Sequence, residues 1–202
     1  RLPQDEEVMR RVALGEEPSL SIGEERPSLF GEAAPPNILV VGVGGAGCNT
    51  VTMLMKMGIK GAECIAINTD ADHLSRTLAH KKLLIGEKIT GGLGAGGFPQ
   101  VGRTAAEMDS AKIYEALGPR PDLVFVVAGM GGGTGTGAAP VVARIARERH
   151  AIVIGAVTLP FRVEGEKKME IALEGVRELQ KYAHVVVLMS NEKLAKLASE
   201  QN

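Results

Sequence analysis

A chain of 202 residues with 45% apolar side chains is long enough for one large globular domain with an extension. A formal net charge of −1 leaves no electrostatic footprint for nucleic acid or a membrane surface, and 3% aromatics without tryptophan give no platform for stacking single-stranded bases. Glycine is the outlier, at 26 residues of 202, nearly double the usual share of about 7%, and it is gathered in a few clusters rather than in a repeat.

Residues 1–36 are charge-rich and punctuated by prolines, and read as a flexible or partly helical arm. A folded domain is expected over 37–202. Ile38-Leu39-Val40-Val41-Gly42-Val43 has the unbroken apolar character of a strand buried on both faces. It enters Gly42-x-Gly44-x-x-Gly47, and a helix is expected from Asn49 to a stop at Gly58. The second strand is Cys64-Ile65-Ala66-Ile67, followed by Asn68-Thr69-Asp70 and a helix over about 71–79. Leu83 to Gly86 is the third strand, and a second glycine cluster fills 91–97. One helix is expected over 101–117, stopped by Gly118-Pro119. The fourth strand, 123–128, runs into Gly129-Met130-Gly131-Gly132-Gly133-Thr134-Gly135-Thr136-Gly137, and a helix over about 139–149 has Pro140 in its first turn. A strand at 152–157, a helix at about 165–182 and a strand at 185–189 complete the pattern.

Six strands alternating with helices predict an α/β fold, a doubly wound, mostly parallel, Rossmann-like sheet. In such a sheet every loop after a strand's carboxyl end lies on one edge, where ligands bind. The glycine-rich loop at 129–137 is too costly in backbone entropy to be only a turn. At a helix N-terminus, where the dipole amounts to about half a positive charge, it reads as a phosphate cradle. Gly42, Gly44 and Gly47, with Asp70 about 20 residues further on, also fit a dinucleotide fingerprint, so an NAD-binding oxidoreductase domain is a rival reading. Three glycine clusters on one edge favour a polyphosphate held from several directions. No G-x-x-x-x-G-K-[ST] occurs and no Lys or Arg lies within 129–137, which leaves compensation of charge to backbone N–H groups, helix dipoles and Mg²⁺.

Gly131-Gly132-Gly133-Thr134-Gly135-Thr136-Gly137 resembles the signature of the tubulin/FtsZ superfamily. The resemblance runs from about Asn37 to Lys193 and includes 42–49, Asn-Thr-Asp-Ala at 68–71, 92–97, Thr-Leu-Pro-Phe at 158–161, Glu164-Gly165 and Asn191-Glu192-Lys193. It implies the nucleotide-binding half of a GTP-binding cytoskeletal GTPase that polymerises head to tail into the prokaryotic cell-division ring, with GTP/GDP and Mg²⁺ as cofactors. Its implied partners are further copies of itself and cell-division adaptor proteins, with no nucleic acid and with membrane contact only through the adaptors. The implied location is the cytoplasm at mid-cell. The implied GTP-binding residues are Gly44, Gly45, Ala46, Gly47, Cys48 and Asn49 over the nucleotide, and Asp70 and Ala71 near the γ-phosphate and the nucleotide's Mg²⁺, with no direct metal ligand. Gly96 and Gly97 would close over the γ-phosphate, while Gly131, Gly132, Gly133, Thr134, Gly135 and Thr136 hold the β-phosphate region. Glu164 would take the ribose and Asn191 the guanine edge. Lys168, implied as a GTP-binding residue through a sugar or phosphate contact, stands where an arginine is common, and Phe98 stands where a small asparagine is usual. The resemblance places the catalytic acids on a loop beyond residue 202 that serves the neighbouring subunit's nucleotide. The 202-residue chain, which starts at Arg1 and reads as a fragment, is therefore expected to bind GTP and hardly hydrolyse it. A non-catalytic GTP-binding regulator of filaments is a further alternative.

Elsewhere the expectations are structural. Cys48 and Cys64 have no metal or redox spacing and read as small tolerated side chains in a reduced compartment. Met53, Met55 and Met57 read as core filling, Arg144, Arg147 and Arg149 as a solvated helix face, and the four histidines as unrelated positions without a metal.

Overall fold

The computed structural model describes residues 34–190. The chain divides between Pro35 and Pro36, and the sheet and its helices belong to the second unit. The expected arm over 1–33 and the expected guanine reader Asn191 lie outside the described residues. Six strands form one sheet: β1 (Ile38–Val43), β2 (Glu63–Asn68), β3 (Lys81–Leu84), β4 (Leu123–Gly129), β5 (Ile152–Leu159) and β6 (Val185–Ser190). Every pairing is parallel and the order is β3-β2-β1-β4-β5-β6. The sequence enters at the middle, winds out to β3, then returns to β4 on the other side of β1. Ligands of open α/β sheets bind at this reversal, outside the carboxyl ends of the strands.

Because side chains alternate along a strand, β1 supplies both faces of the sheet. Leu39, Val41 and Val43 join the larger core, whereas Val40 packs on the opposite face with Val51 and Cys64. That second face is covered by α1 (Gly44–Lys56). The larger core lies under α4 (Pro99–Met108), α5 (Ser110–Ala116), α6 (Thr134–Glu148) and α7 (Glu166–Gln180), with the short α2 (Ala71–Arg76) and α3 (Glu87–Thr90) flanking the site. A 3₁₀ turn, Arg162–Glu164, precedes α7.

Several boundaries differ from expectation, and they differ where loops meet helices. Both central helices start inside their glycine motifs, α1 at Gly44 rather than Asn49 and α6 at Thr134 rather than 139. Packing of these turns against the sheet edge outweighs their poor helix propensity. Pro140 is consequently interior to α6, not in its first turn. The expected helix over 101–117 is two, broken at Asp109, whose carboxylate leaves the helix to accept the Gly86 N–H at 2.7 Å. The third strand covers Lys81–Leu84 rather than 83–86, and the helix after Asp70 ends at Arg76.

Two side-chain readings are corrected, that of the methionines and that of the arginines. Met53 and Met57 are 53% and 75% exposed, so only Met55 fills space against the sheet. Arg144 is not merely solvated, since it pairs with Glu107 at 2.7 Å and Glu148 at 3.0 Å. Arg149 lies over the Tyr114 ring, 3.3 Å from its centroid, and donates to the Tyr114 carbonyl, tying α6 to α5. Among the described residues no helix is long and apolar enough to cross a membrane.

Candidate nucleotide site

At the carboxyl edge of the sheet, between β1 and β4, lies a cavity of about 430 Å³. Its wall brings together five segments widely separated in sequence. Gly45 and Ala46 come from the start of α1, Asp70 from the turn after β2, and Gly96 and Gly97 from the second glycine cluster. Gly132, Gly133, Thr134 and Gly135 come from the turn into α6, and Glu164 and Lys168 from the start of α7.

The glycines divide into two kinds by what a Cβ would meet. A Cβ at Gly44 would come within 2.7 Å of the Gly135 nitrogen, and one at Gly133 within 2.8 Å of the Ala95 Cβ and 2.9 Å of the Phe98 nitrogen. Those residues let the loops touch backbone to backbone. At Gly132 a Cβ would meet nothing within 4 Å, and at Gly45 only the His73 Nε2, at 3.9 Å. Both face the cavity, and no packing within the protein requires them to be glycine. The absence of side chains there leaves room for a bulky ligand to approach the backbone closely, as a phosphate cradle requires.

Side chains lock the loops to one another. The hydroxyls of Thr69 and Thr134 are hydrogen-bonded at 2.7 Å, joining the turn after β2 to the first residue of α6. Thr136 Oγ1 accepts the Gly131 N–H at 2.9 Å, which closes the turn between β4 and α6. The second glycine cluster is pinned over Asp70: Gly94 N–H donates to the Thr69 carbonyl, Ala71 N–H to the Gly92 carbonyl, and Asp70 bridges Leu93. The Lys168 ammonium bonds Glu164 at 2.5 Å, and Phe161 N–H donates to the same carboxylate at 2.8 Å. Lys168 first and then Phe161 hold the Glu164 carboxyl below the ordinary glutamate range.

Not every expected site residue reaches the wall. Gly44, Gly47, Cys48, Asn49, Ala71, Gly131 and Thr136 lie off it. Gly47 packs on β4, where a Cβ would stand 2.3 Å from the Val127 oxygen, and Gly131 packs on Lys168. The Cys48 side chain is turned away from the cavity into a small core with Ala66 and Leu74. Burial pushes its thiol up to about 11, which excludes a reactive thiolate at a helix N-terminus. Asn49 is exposed on α1, and the Ala71 N–H is taken by Gly92. Sequence reasoning missed Asn68, His73, Ala95, Met130 and Thr158, all on the wall. Their signal was proximity to a glycine cluster or a strand end, which composition alone does not distinguish from ordinary loop residues.

Among the described residues no three His, Cys, Asp or Glu side chains converge to hold a metal. Asp70 Oδ1 caps α2 by accepting the His73 N–H at 2.9 Å. The other carboxylate oxygen, Oδ2, lies near the Gly94 strap, and Glu164 is the second carboxylate of the wall.

An all-parallel sheet of this order with glycine loops gathered at its reversal defines a nucleotide-binding α/β domain. More narrowly, the chain belongs to the tubulin/FtsZ family: the model of the Tubulin/FtsZ family GTPase domain matches residues 37–199. It is 44% identical over 198 residues to the cell division protein FtsZ 1 of Pyrococcus furiosus, covering 98% of this chain and 52% of that protein. With the FtsZ 2 of Methanocaldococcus jannaschii the identity is 54% over 168 residues, 83% of this chain and 43% of the relative. Among solved structures, an empty FtsZ dimer of M. jannaschii superposes with a TM-score of 0.77 at 42% identity, covering 98% of this chain and 52% of that one. A GTPγS-bound CetZ2 protofilament from Haloferax volcanii gives 0.71 at 28% identity, covering 77% of this chain and 49% of that one. The chain spans about half the length of the curated relatives it matches. The rival reading as an NAD-binding oxidoreductase domain is not favoured. Asp70, its ribose-binding acid, instead caps α2 beneath the glycine strap.

Proposed function

We propose that this chain is the nucleotide-binding half of a tubulin-like GTPase that binds GTP and GDP and assembles head to tail into a cell-division filament. The observation that carries the reading is the pair of glycines, Gly45 and Gly132, that open onto the cavity with no packing reason to lack a side chain. Backbone N–H groups of Gly45 and Ala46 and of Gly132 to Gly135, with the N-terminal end of the fifteen-residue α6 behind them, take the phosphates. Gly44, Gly47, Gly131 and Thr136 act indirectly, by fixing the loops that carry those donors. Gly96 and Gly97 close over the terminal phosphate. Glu164, kept ionised and aimed by Lys168 and Phe161, accepts from the ribose, with Asn49 and Asn191 assigned to sugar and guanine.

Asp70 holds its place beside the terminal phosphate by capping α2, and Cys48 and Ala71 support the same turns. Near Asp70, a Mg²⁺ ion bound with the nucleotide would supply neutralisation of phosphate charge. The protein's own part is to bind, orient and shield the phosphates. The resemblance assigns the water-orienting acids to a loop beyond residue 202 acting on the next subunit's nucleotide. Self-assembly, adaptor proteins as the route to the membrane and a cytoplasmic mid-cell site belong to the same proposal.

A steady-state phosphate-release assay on the purified 202-residue chain tests the division of labour. Saturable GTP binding with negligible turnover is expected. Hydrolysis by this chain alone at the rate of an assembled filament would refute it.

A further inference from the structure

His73 stands on the wall of the cavity, on the first turn of α2, and the structure dictates which of its ring nitrogens carries the proton. Asn68 sets the tautomer. Its Oδ1 accepts the Thr69 N–H at 2.9 Å and lies 3.4 Å from the Asp70 nitrogen; backbone N–H groups can only donate, so this atom is the oxygen. The other end of the amide, Nδ2, is therefore a donor, and it faces His73 Nδ1 at 3.4 Å. Nδ1 must accept, which in a neutral imidazole puts the proton on Nε2. Nε2 is the atom that looks across the cavity mouth toward Gly45, 3.9 Å from where a Cβ would be, and among the described residues no protein acceptor meets it.

The charges of the wall show what such a donor is for. Its acids are Asp70 and Glu164 and its cation is Lys168, which is already paired with Glu164 at 2.5 Å. The Nε2–H adds a side-chain donor without a protein acceptor, among the described residues, between the turns that carry Gly45 and Asp70.

We infer that His73 is a phosphate-binding residue: its Nε2–H donates to an anionic oxygen of the bound guanine nucleotide, and Asn68 is the positioning residue that holds the tautomer. This rests on the guanine-nucleotide reading above. It adds a side-chain donor to a cradle otherwise built from backbone, and it makes the polyphosphate, rather than the base or sugar, the part of the ligand that His73 senses.

The test is fluorescence competition on the full 202-residue chain with GTP, GDP and guanosine, comparing His73→Ala, His73→Asn and His73→Gln. A hydrogen bond to a charged oxygen corresponds to about ten-fold in affinity. His73→Ala is expected to lose that factor for GTP and GDP and to leave guanosine unchanged. Glutamine places its amide nitrogen near the Nε2 position and restores binding, whereas asparagine, which reproduces only the Nδ1 position, does not. Equal GTP affinity in His73→Ala, or an equal loss for guanosine, overturns the inference. Failure of the unmutated chain to bind any of the three instead removes the guanine-nucleotide reading itself, and the inference with it. Because α2 is short, circular dichroism checks that each variant is folded. Independently of any variant, imidazole ¹⁵N spectra of the unmutated chain must show the proton on Nε2 before nucleotide is added; a proton on Nδ1 would also overturn the inference.

Discussion

Adjacent glycines in the turn before α6 serve different masters. A Cβ at Gly132 projects into open cavity, and its backbone lies outside the left-handed region, so alanine fits the fold. Gly132→Ala is expected to leave unfolding stability unchanged or raise it by about 0.4–1 kcal/mol through the unfolded chain, while sharply weakening nucleotide binding. Gly133→Ala does the opposite kind of damage. Its methyl collides with Ala95 and with the Phe98 backbone nitrogen, atoms that cannot yield cheaply, at a cost of about 1–3 kcal/mol. Parallel melting and nucleotide titrations separate the two, and a stability loss in Gly132→Ala equal to that in Gly133→Ala would contradict the division. The cluster announced a phosphate cradle because no turn needs so many glycines. Which of them face the cavity depends on neighbours such as Ala95, Phe98 and Lys168, which are brought in by distant parts of the chain. Cys48 sits in the middle of a binding motif and still points into the core, because a helix that begins at Gly44 puts it on the sheet-facing side. His73 was passed over because nothing in its spacing distinguishes it from an exposed helical histidine.

Elements were more legible than their ends. Long apolar runs such as Leu123 to Ala128 have no alternative to a buried strand, and all six were visible in order. Helix boundaries were displaced wherever a tertiary contact outweighed local propensity, as at Asp109. Its carboxylate accepts the Gly86 N–H and pairs with Lys112 at 2.8 Å. Partial burial pushes this carboxyl upward, but Lys112 and Gly86 outweigh it and the net displacement is downward. A carboxylate more acidic in the folded than in the unfolded chain contributes stability that is present above the unfolded value, about 3.9, and lost as pH falls through the lower folded value. Asp109→Asn is therefore expected to lower the denaturation midpoint at pH 7, with the difference from the unmutated chain shrinking below about pH 4. A difference that grows in acid would contradict this.

The ends of α1 and α6 supply a second case. Both helices close with the same pair of backbone bonds. In α1 these run from Gly58 to Met55 and from Ile59 to Leu54, and in α6 from His150 to Arg147 and from Ala151 to Ala146. The left-handed residue is Gly58 in the first and His150 in the second, with φ of 74° and 63°. A side chain in that conformation is strained, so His150→Gly is expected to stabilise the domain by about 0.5–1 kcal/mol in urea denaturation. A loss of similar size would show that His150 has a role beyond the cap.

At the scale of the whole molecule, the sheet order is what turns scattered motifs into one site. With β1 and β4 adjacent at the centre, the turns into α1 and α6 leave side by side and in opposite directions, and the segments after β2, β3 and β5 complete the wall. Alternation of strands and helices implied the parallel sheet. The register and the pinning of the second glycine cluster on Asp70 could not be read from the sequence, since both depend on backbone pairing between remote segments. On the function proposed above, this edge is built for the polyphosphate of a guanine nucleotide. Equilibrium binding of a fluorescent GTP analogue to the 202-residue chain, competed with GDP and with NADH, tests it most directly. Displacement by GDP and not by NADH is the expected result, and preferential displacement by NADH, or no saturable binding of the analogue, would contradict the account.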